Sequence, residues 1–244
     1  MDFLSQLINH IINNDPSFGY HHLCDKLGIS HLCFADDLLL FAGNEHSAKL
    51  VRSTLNEFYD FSGLKANNNK SCVFYASIKP TIANNICRTL QFPRGILRMK
   101  SLGVPLITTK LRKSDCNELL RKISARITSW NSRFLSYASR IQLIHSILFG
   151  IKNYWSFMFI LPKSVLKEME QMMNRFLWNG DVTKAHRIKI AWDKVFTPKK
   201  EGELGLKRLT ELNTVLNMKH IWNILSPNTQ SLWVKWVHMY LLKI

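Results

Sequence analysis

The stretch that most limits what this chain can fold into is residues 29–42, ISHLCFADDLLLFA. Two short apolar runs, Ile29 to Phe34 and Leu38 to Ala42, flank Ala35-Asp36-Asp37. Runs of this length with turn-compatible residues between them predict a buried β-hairpin. An Asp-Asp pair by itself is expected about once by chance in a chain of this size. Its apolar setting carries the information, because two carboxylates at the tip of such a hairpin are costly unless a cation neutralises them. A divalent metal would do so, and two-metal phosphoryl transfer needs carboxylates that hold hard cations about 3.5–4 Å apart. Adjacent residues of an ideal strand point to opposite faces, so Asp36 and Asp37 cannot both serve one metal without a carboxylate from a second segment.

Periodicity extends the pattern in both directions. Phe3, Leu4, Leu7, Ile8, Ile11 and Ile12 predict an amphipathic helix over Met1 to Asn14, with a connection from Asp15 to Gly28. A helix is expected from Glu45 to Phe61, with Asn44 as N-cap and Gly63 as stop. Ser71 to Ala76 predicts a strand, Ile82 to Leu90 a short helix, and Gly103 and Pro105 keep Met99 to Leu106 extended. Leu120, Ile123, Ile127 and Trp130 form a helical stripe over Asp115 to Trp130, with Lys122, Arg126 and Arg133 lining a neighbouring face. Helices are also expected at Ser139 to Phe149, Ser164 to Trp178, Thr210 to Leu225 and Ser231 to Leu242. The fold class is α+β: a mixed first part, 1–108, then helical regions at 109–200 and 201–244. Trp155, Trp178, Trp192, Trp222 and Trp233 are expected in the core, with Met169, Met172 and Met173 filling it.

Charge is unevenly distributed. The 244 residues carry 33 Lys and Arg against 17 Asp and Glu, a formal net charge of +16, which favours polyanionic partners. Residues 61–167 account for the whole excess, holding 18 basic side chains and only Asp115 and Glu118 as acids. Lys100, Arg112, Lys113, Arg121, Lys122, Arg126, Arg133 and Arg140 are the candidate phosphate contacts. No apolar run approaches the ~18 residues of a membrane span. MDFLSQLINHIINND has no basic region ahead of its apolar residues, unlike a signal peptide. Five scattered cysteines without a C-x-x-C argue against a disulfide framework or zinc ribbon and for a reducing compartment. His21, His22 and Cys24 lack a second pair at metal-site spacing and read as structural.

FADD preceded by HLC and followed by LLLF, then SGLKANNNKS (62–71), LGVPL (102–106), LSYASRIQLIHSIL (135–148), RFLWNG (175–180) and PKKEGELGLK (198–207) form an ordered series. Together they resemble plant LINE-type (non-LTR) retrotransposon reverse transcriptase. The resemblance implies a partial palm whose hairpin carries Asp-Asp, followed by a mostly helical thumb and connector. It implies that Asp36 binds metal, that Asp37 supports it, and that Lys70 approaches the incoming nucleotide. The implied cofactor is Mg²⁺. The implied partners are an RNA template with a DNA primer, or an RNA–DNA duplex, and deoxynucleoside triphosphates, in the nucleus. The family's first catalytic aspartate motif, its glycine motif and its fingers have no counterpart here, and Asp2, Asp15 and Asp25 lie in no matching strand pattern. Ser101 stands where the family has an aromatic, and Glu203 where it has a second Gly. The expectation is therefore a reverse-transcriptase fragment inactive as this chain alone. The alternative is a non-enzymatic, sequence-independent nucleic-acid-binding remnant. A degenerate remnant with an exposed, aggregation-prone palm surface is the third reading.

Overall fold

The structure is a computed structural model that describes residues 1–75, 78–95, 100–130, 135–180, 206–226 and 230–243. Its elements in chain order are α1 (Asp2–Asn14), β1 (His31–Phe34), β2 (Asp37–Leu40), α2 (Glu45–Ser62), α3 (Pro80–Leu90), β3 (Lys100–Ser101), β4 (Val104–Pro105), α4 (Asn117–Ser129), α5 (Tyr137–Leu143), α6 (Phe149–Met158), α7 (Lys163–Asn179), α8 (Leu209–Leu225) and α9 (Leu232–Trp236). π-helical turns follow α5 at Ile144–Leu148 and α9 at Val237–Leu242. The described chain is thus mostly helical, with two antiparallel two-stranded hairpins, which is compatible with α+β. It divides into two compact units, Met1–Met99 with Gln230–Ile244, and Lys100–Thr229.

In the first unit the 3–4 spacing of α1 delivers Leu4, Ile8 and Ile12 to a small core with Phe18 and Phe58. The α2 helix starts where its cap dictates: Asn44 Oδ1 accepts from the Ser47 backbone N–H at 2.7 Å and from its hydroxyl at 2.8 Å. It stops at Gly63, which takes φ +70°. The approach to α2 is tight. Gly43 N–H donates to Gly19 O at 2.8 Å, and a Cβ at Gly43 would fall 2.2 Å from Tyr20 O. The chain's last described stretch returns to this unit. Trp236 Nε1 donates to Leu23 O at 2.7 Å, and the Lys26 backbone N–H donates to Tyr240 Oη at 2.8 Å.

Two expectations for this unit are corrected. Ser71 to Ala76 forms no strand over its described residues, only a parallel bridge between Val73 and Arg94, fixed by Val73 N–H to Pro93 O and Gly95 N–H to Val73 O. The β1–β2 hairpin forms but is not buried. Its register pairs Leu32 with Leu39 and Phe34 with Asp37 on one face, and that face is exposed, Phe34 by 63%. Leu38 and Leu40 alternate to the other face and pack on the α1–α2 core. The first unit supplies a neighbour to one side of this two-stranded sheet, so half of an apolar hairpin stays wet.

The second unit holds the larger core. Leu119, Leu120, Ile123 and Ile127 of α4 meet Val165, Leu166, Met169, Met173, Phe176 and Leu177 of α7. The α4 stripe follows its predicted spacing, after a 3-10 turn at Lys113–Cys116 in which Asp115 Oδ2 accepts from the Arg112 backbone N–H at 2.8 Å. The helix expected to end at Phe149 instead runs on through the π turn into α6, so 137–158 is helical throughout. Asn213 of α8 clips the end of α6. Its Oδ1 accepts from Leu161 N–H at 2.9 Å, and its Nδ2 donates to Ser156 O at 3.1 Å and Phe159 O at 2.9 Å. That polar seam decides a further correction. With Asn213, Asn217 and His220 turned toward the α6 carbonyls, Trp222 lies on the opposite side of α8 and is 74% exposed. Trp233 in the first unit is also exposed, Trp155 and the methionines Met169 and Met173 are buried, and Trp192 lies outside the described residues.

Candidate functional site

The hairpin loop is two residues long, Ala35 and Asp36, and Phe34 faces Asp37 across it. Ala35 takes φ +50° while Asp36 does not adopt positive φ, as in turns whose first central residue is left-handed. A non-glycine residue there carries backbone strain of order 1 kcal/mol. The turn puts Asp36 at the tip and starts β2 at Asp37, so the two carboxylates differ in backbone setting. Both are exposed, and neither forms an ion pair with a described residue. Lys70 ends a turn in which its N–H donates to Asn67 O at 3.0 Å; it is exposed and makes no hydrogen bond to Asp36 or Asp37. Among the described residues no group of three or more His, Cys, Asp or Glu side chains is placed to hold a metal ion. Among the described residues the donors at the hairpin are two adjacent carboxylates, which do not by themselves make a two-metal site.

Two serine–histidine contacts in the same unit invite a hydrolytic reading that their geometry does not support. Ser17 Oγ donates to Asp15 Oδ1 at 2.5 Å, while His46 Nε2 lies 2.8 Å from both Asp15 Oδ2 and Ser17 Oγ. The serine proton therefore faces a carboxylate, which the Ser17 hydroxyl first and His46 second hold down at about 2, a poor base. The cluster latches the α1–α2 connection. His31 Nε2 lies 2.5 Å from Ser5 Oγ and its Nδ1 2.9 Å from Ser30 Oγ, one ring nitrogen donating and the other accepting when the ring is neutral; the contacts tie α1 to β1, and burial lowers the basicity of the ring.

The eight candidate basic residues separate into groups. Lys100 and Lys122 both bind the Glu118 carboxylate, Lys122 at 3.2 Å, and Lys113 binds Glu168 at 2.7 Å. Arg140 donates to Leu177 O and Trp178 O at the end of α7, which is a structural use. Arg133 lies outside the described residues. Arg112, Arg121 and Arg126 remain exposed with no acidic partner among the described residues. Arg121 borders a shallow groove along α4 whose floor includes Leu120 and Met172 and whose rim includes Ser124, Ala125 and Thr128. Sequence reasoning missed the part played by Glu118. Its i,i+4 spacing to Lys122 was the available signal; the convergence of Lys100 from β3 had none.

All five cysteines are free thiols, with burial raising Cys24, Cys72 and, to about 11, Cys116. The His21 and His22 rings lie against each other with centroids 4.3 Å apart and planes tilted by 38°. No helix among the described residues is long and apolar enough to cross a membrane.

No family model matches this chain. A curated Arabidopsis thaliana protein that bears the name "Putative ribonuclease H protein" is similar to it, with 31% identity over 130 residues. The similarity takes in 53% of this chain and 21% of that protein, so the chain spans about a fifth of the relative it matches.

Proposed function

We propose that this chain belongs to a retroelement-type nucleic-acid-handling protein, and within that class to the late palm, thumb and connector of a non-LTR reverse transcriptase. The carrying observation is the hairpin: a two-residue turn presents Asp36 at its tip, Asp37 opens the return strand, and the flanking residues follow the FADD series. The ribonuclease H protein supports the broader class. Since 21% of its length is involved, the activity in its name can reside in another part of it. The resemblance implies Mg²⁺, but the two carboxylates in hand do not make its site, and no polymerase step is assigned to this chain alone.

What the chain's own residues do is bind. Arg112, Arg121 and Arg126 offer unpaired guanidinium groups from one unit, suited to phosphate oxygens without base readout. Each phosphate neutralised contributes about −0.9 to the slope of log affinity against log salt. The test measures binding of the full chain to an RNA–DNA duplex over a salt series, together with primer extension in Mg²⁺ or Mn²⁺. The expected outcome is sequence-independent binding with a slope steeper than about −2, reduced by about one in Arg121→Ala, and no primer extension. Absent or salt-insensitive binding overturns the binding function. Template-dependent incorporation abolished by Asp36→Ala overturns the assignment of inactivity.

A further inference from the structure

Segment 61–167 holds two acids among eighteen basic residues, and one of the two, Glu118, sits between two lysines from different elements. Glu118 lies in the first turn of α4. Its Oε2 receives Lys100 Nζ from β3, and its Oε1 receives Lys122 Nζ from one turn along α4 at 3.2 Å. The ammonium groups hold the carboxyl below its usual range, Lys100 more than Lys122. Lys122 also lies against the β3–β4 turn, where a Cβ at Gly103 would come within 3.7 Å of its Nζ. Leu102 and Gly103 take φ +52° and +77°, and Leu102 O accepts from Tyr154 Oη of α6 at 2.6 Å, so the turn is pinned. The lysine side chains remain 64% and 43% exposed, against 18% for Glu118.

Two ammonium groups from a pinned hairpin and a helix thus converge on the two oxygens of a single anion. A phosphodiester presents the same pattern, two non-bridging oxygens sharing one negative charge. We propose that Glu118 occupies a phosphate-binding site formed by Lys100 and Lys122, and that a nucleic-acid phosphate displaces it. This rests on the nucleic-acid reading above. A phosphate that replaces the Glu118 carboxylate keeps both ammonium groups paired, so the exchange costs the release of Glu118 alone. A polyanion that also engages the unpaired Arg121 and Arg126 on the same helix releases counterions at each contact, which a lone phosphate does not. Glu118 therefore acts as a threshold that multivalent phosphate crosses and single ions do not.

The test compares the full chain with Glu118→Gln, using an RNA–DNA duplex and inorganic tripolyphosphate as probes across a salt series. Glu118→Gln is expected to bind the duplex about tenfold more tightly near 0.1 M salt, with a slope steeper by about one to two. Adding Lys100→Ala and Lys122→Ala is expected to remove that gain. Acetylation of the Lys100 and Lys122 amines in the unmutated protein provides a readout independent of any variant's folding, and the duplex is expected to protect both. Salt-dependent duplex binding by the unmutated protein, with no gain in Glu118→Gln and no protection of the lysines, overturns this inference and leaves the nucleic-acid reading standing. Tripolyphosphate binding without duplex binding overturns the nucleic-acid source. Failure to bind either probe overturns both.

Discussion

Lys152 shows how far a single side chain can depart from its expected place. It lies on α6 with no exposed surface, its Nζ 5.8 Å from the Phe149 ring centroid and without a hydrogen-bond partner among the described residues. Burial pushes its amine down to about 8, with Glu170 of α7 pulling the other way. The folded value lies below the unfolded one, so the unfolded chain binds the extra proton between about 8 and the ordinary lysine range near 10.4. Below about 8 both states are protonated and the penalty is constant; stability rises as pH climbs from about 8 to 10.4. Lys152→Met is expected to raise the melting temperature at pH 7 by several degrees, corresponding to at most about 3 kcal/mol, and to flatten the rise above pH 8. Thermal melts at pH 7 and pH 10 check both effects; an unchanged slope in the variant would assign the pH dependence elsewhere.

Among elements, the two hairpins use opposite turn chemistry at similar length. The β1–β2 turn has Ala35 in the left-handed region, and the β3–β4 turn has Leu102 there followed by Gly103. Two positive φ values in succession favour Asn-Gly, so Leu102→Asn is expected to stabilise the second unit by about 0.5–1 kcal/mol, read from urea unfolding. The Leu102 carbonyl that Tyr154 holds is backbone and survives the change. At the start of α2, Asn44→Ala removes the acceptor for the Ser47 N–H and is expected to cost about 1 kcal/mol, while Asn44→Asp retains most of it. The same elements show what the sequence carried. The Asn44 cap, the Gly63 stop and the α4 stripe were legible because each depends on residues within one or two turns. The strand expected at Ser71 to Ala76 was not, because a strand exists only when a partner runs beside it, and Val73 finds a single bridge.

Across the whole molecule, each unit leaves an apolar face in water. The first exposes Leu32, Phe34 and Leu39 on its hairpin; the second exposes Val215, Met218, Ile221, Trp222 and Leu225 along α8. Faces of this kind drive association in isolated chains. Replacing Trp222 and Leu225 together with Lys is expected to leave the melting temperature within about 2 °C, since neither packs in the core, and to lower the association that sedimentation is expected to detect at high protein concentration. Unchanged association would move the sticky surface to the hairpin face.

The sequence by itself determined the hairpin, the order of the helices, the basic excess of residues 61–167 and the Asp36–Asp37 pair, all of which are local patterns or sums over residues. It also marked Lys122 and Arg126 as cations on a helix face neighbouring the apolar stripe. Tertiary structure alone decided which face of the hairpin is covered, that the last helix docks on the first unit through Trp236 and Tyr240, and that Arg140 is spent on the α7 carbonyls. It also brought Lys100 to Glu118, across 18 positions of chain and a change of element. Solvent exposure and charge pairing belong to surfaces that exist only after folding, so no spacing rule within one segment could have supplied them.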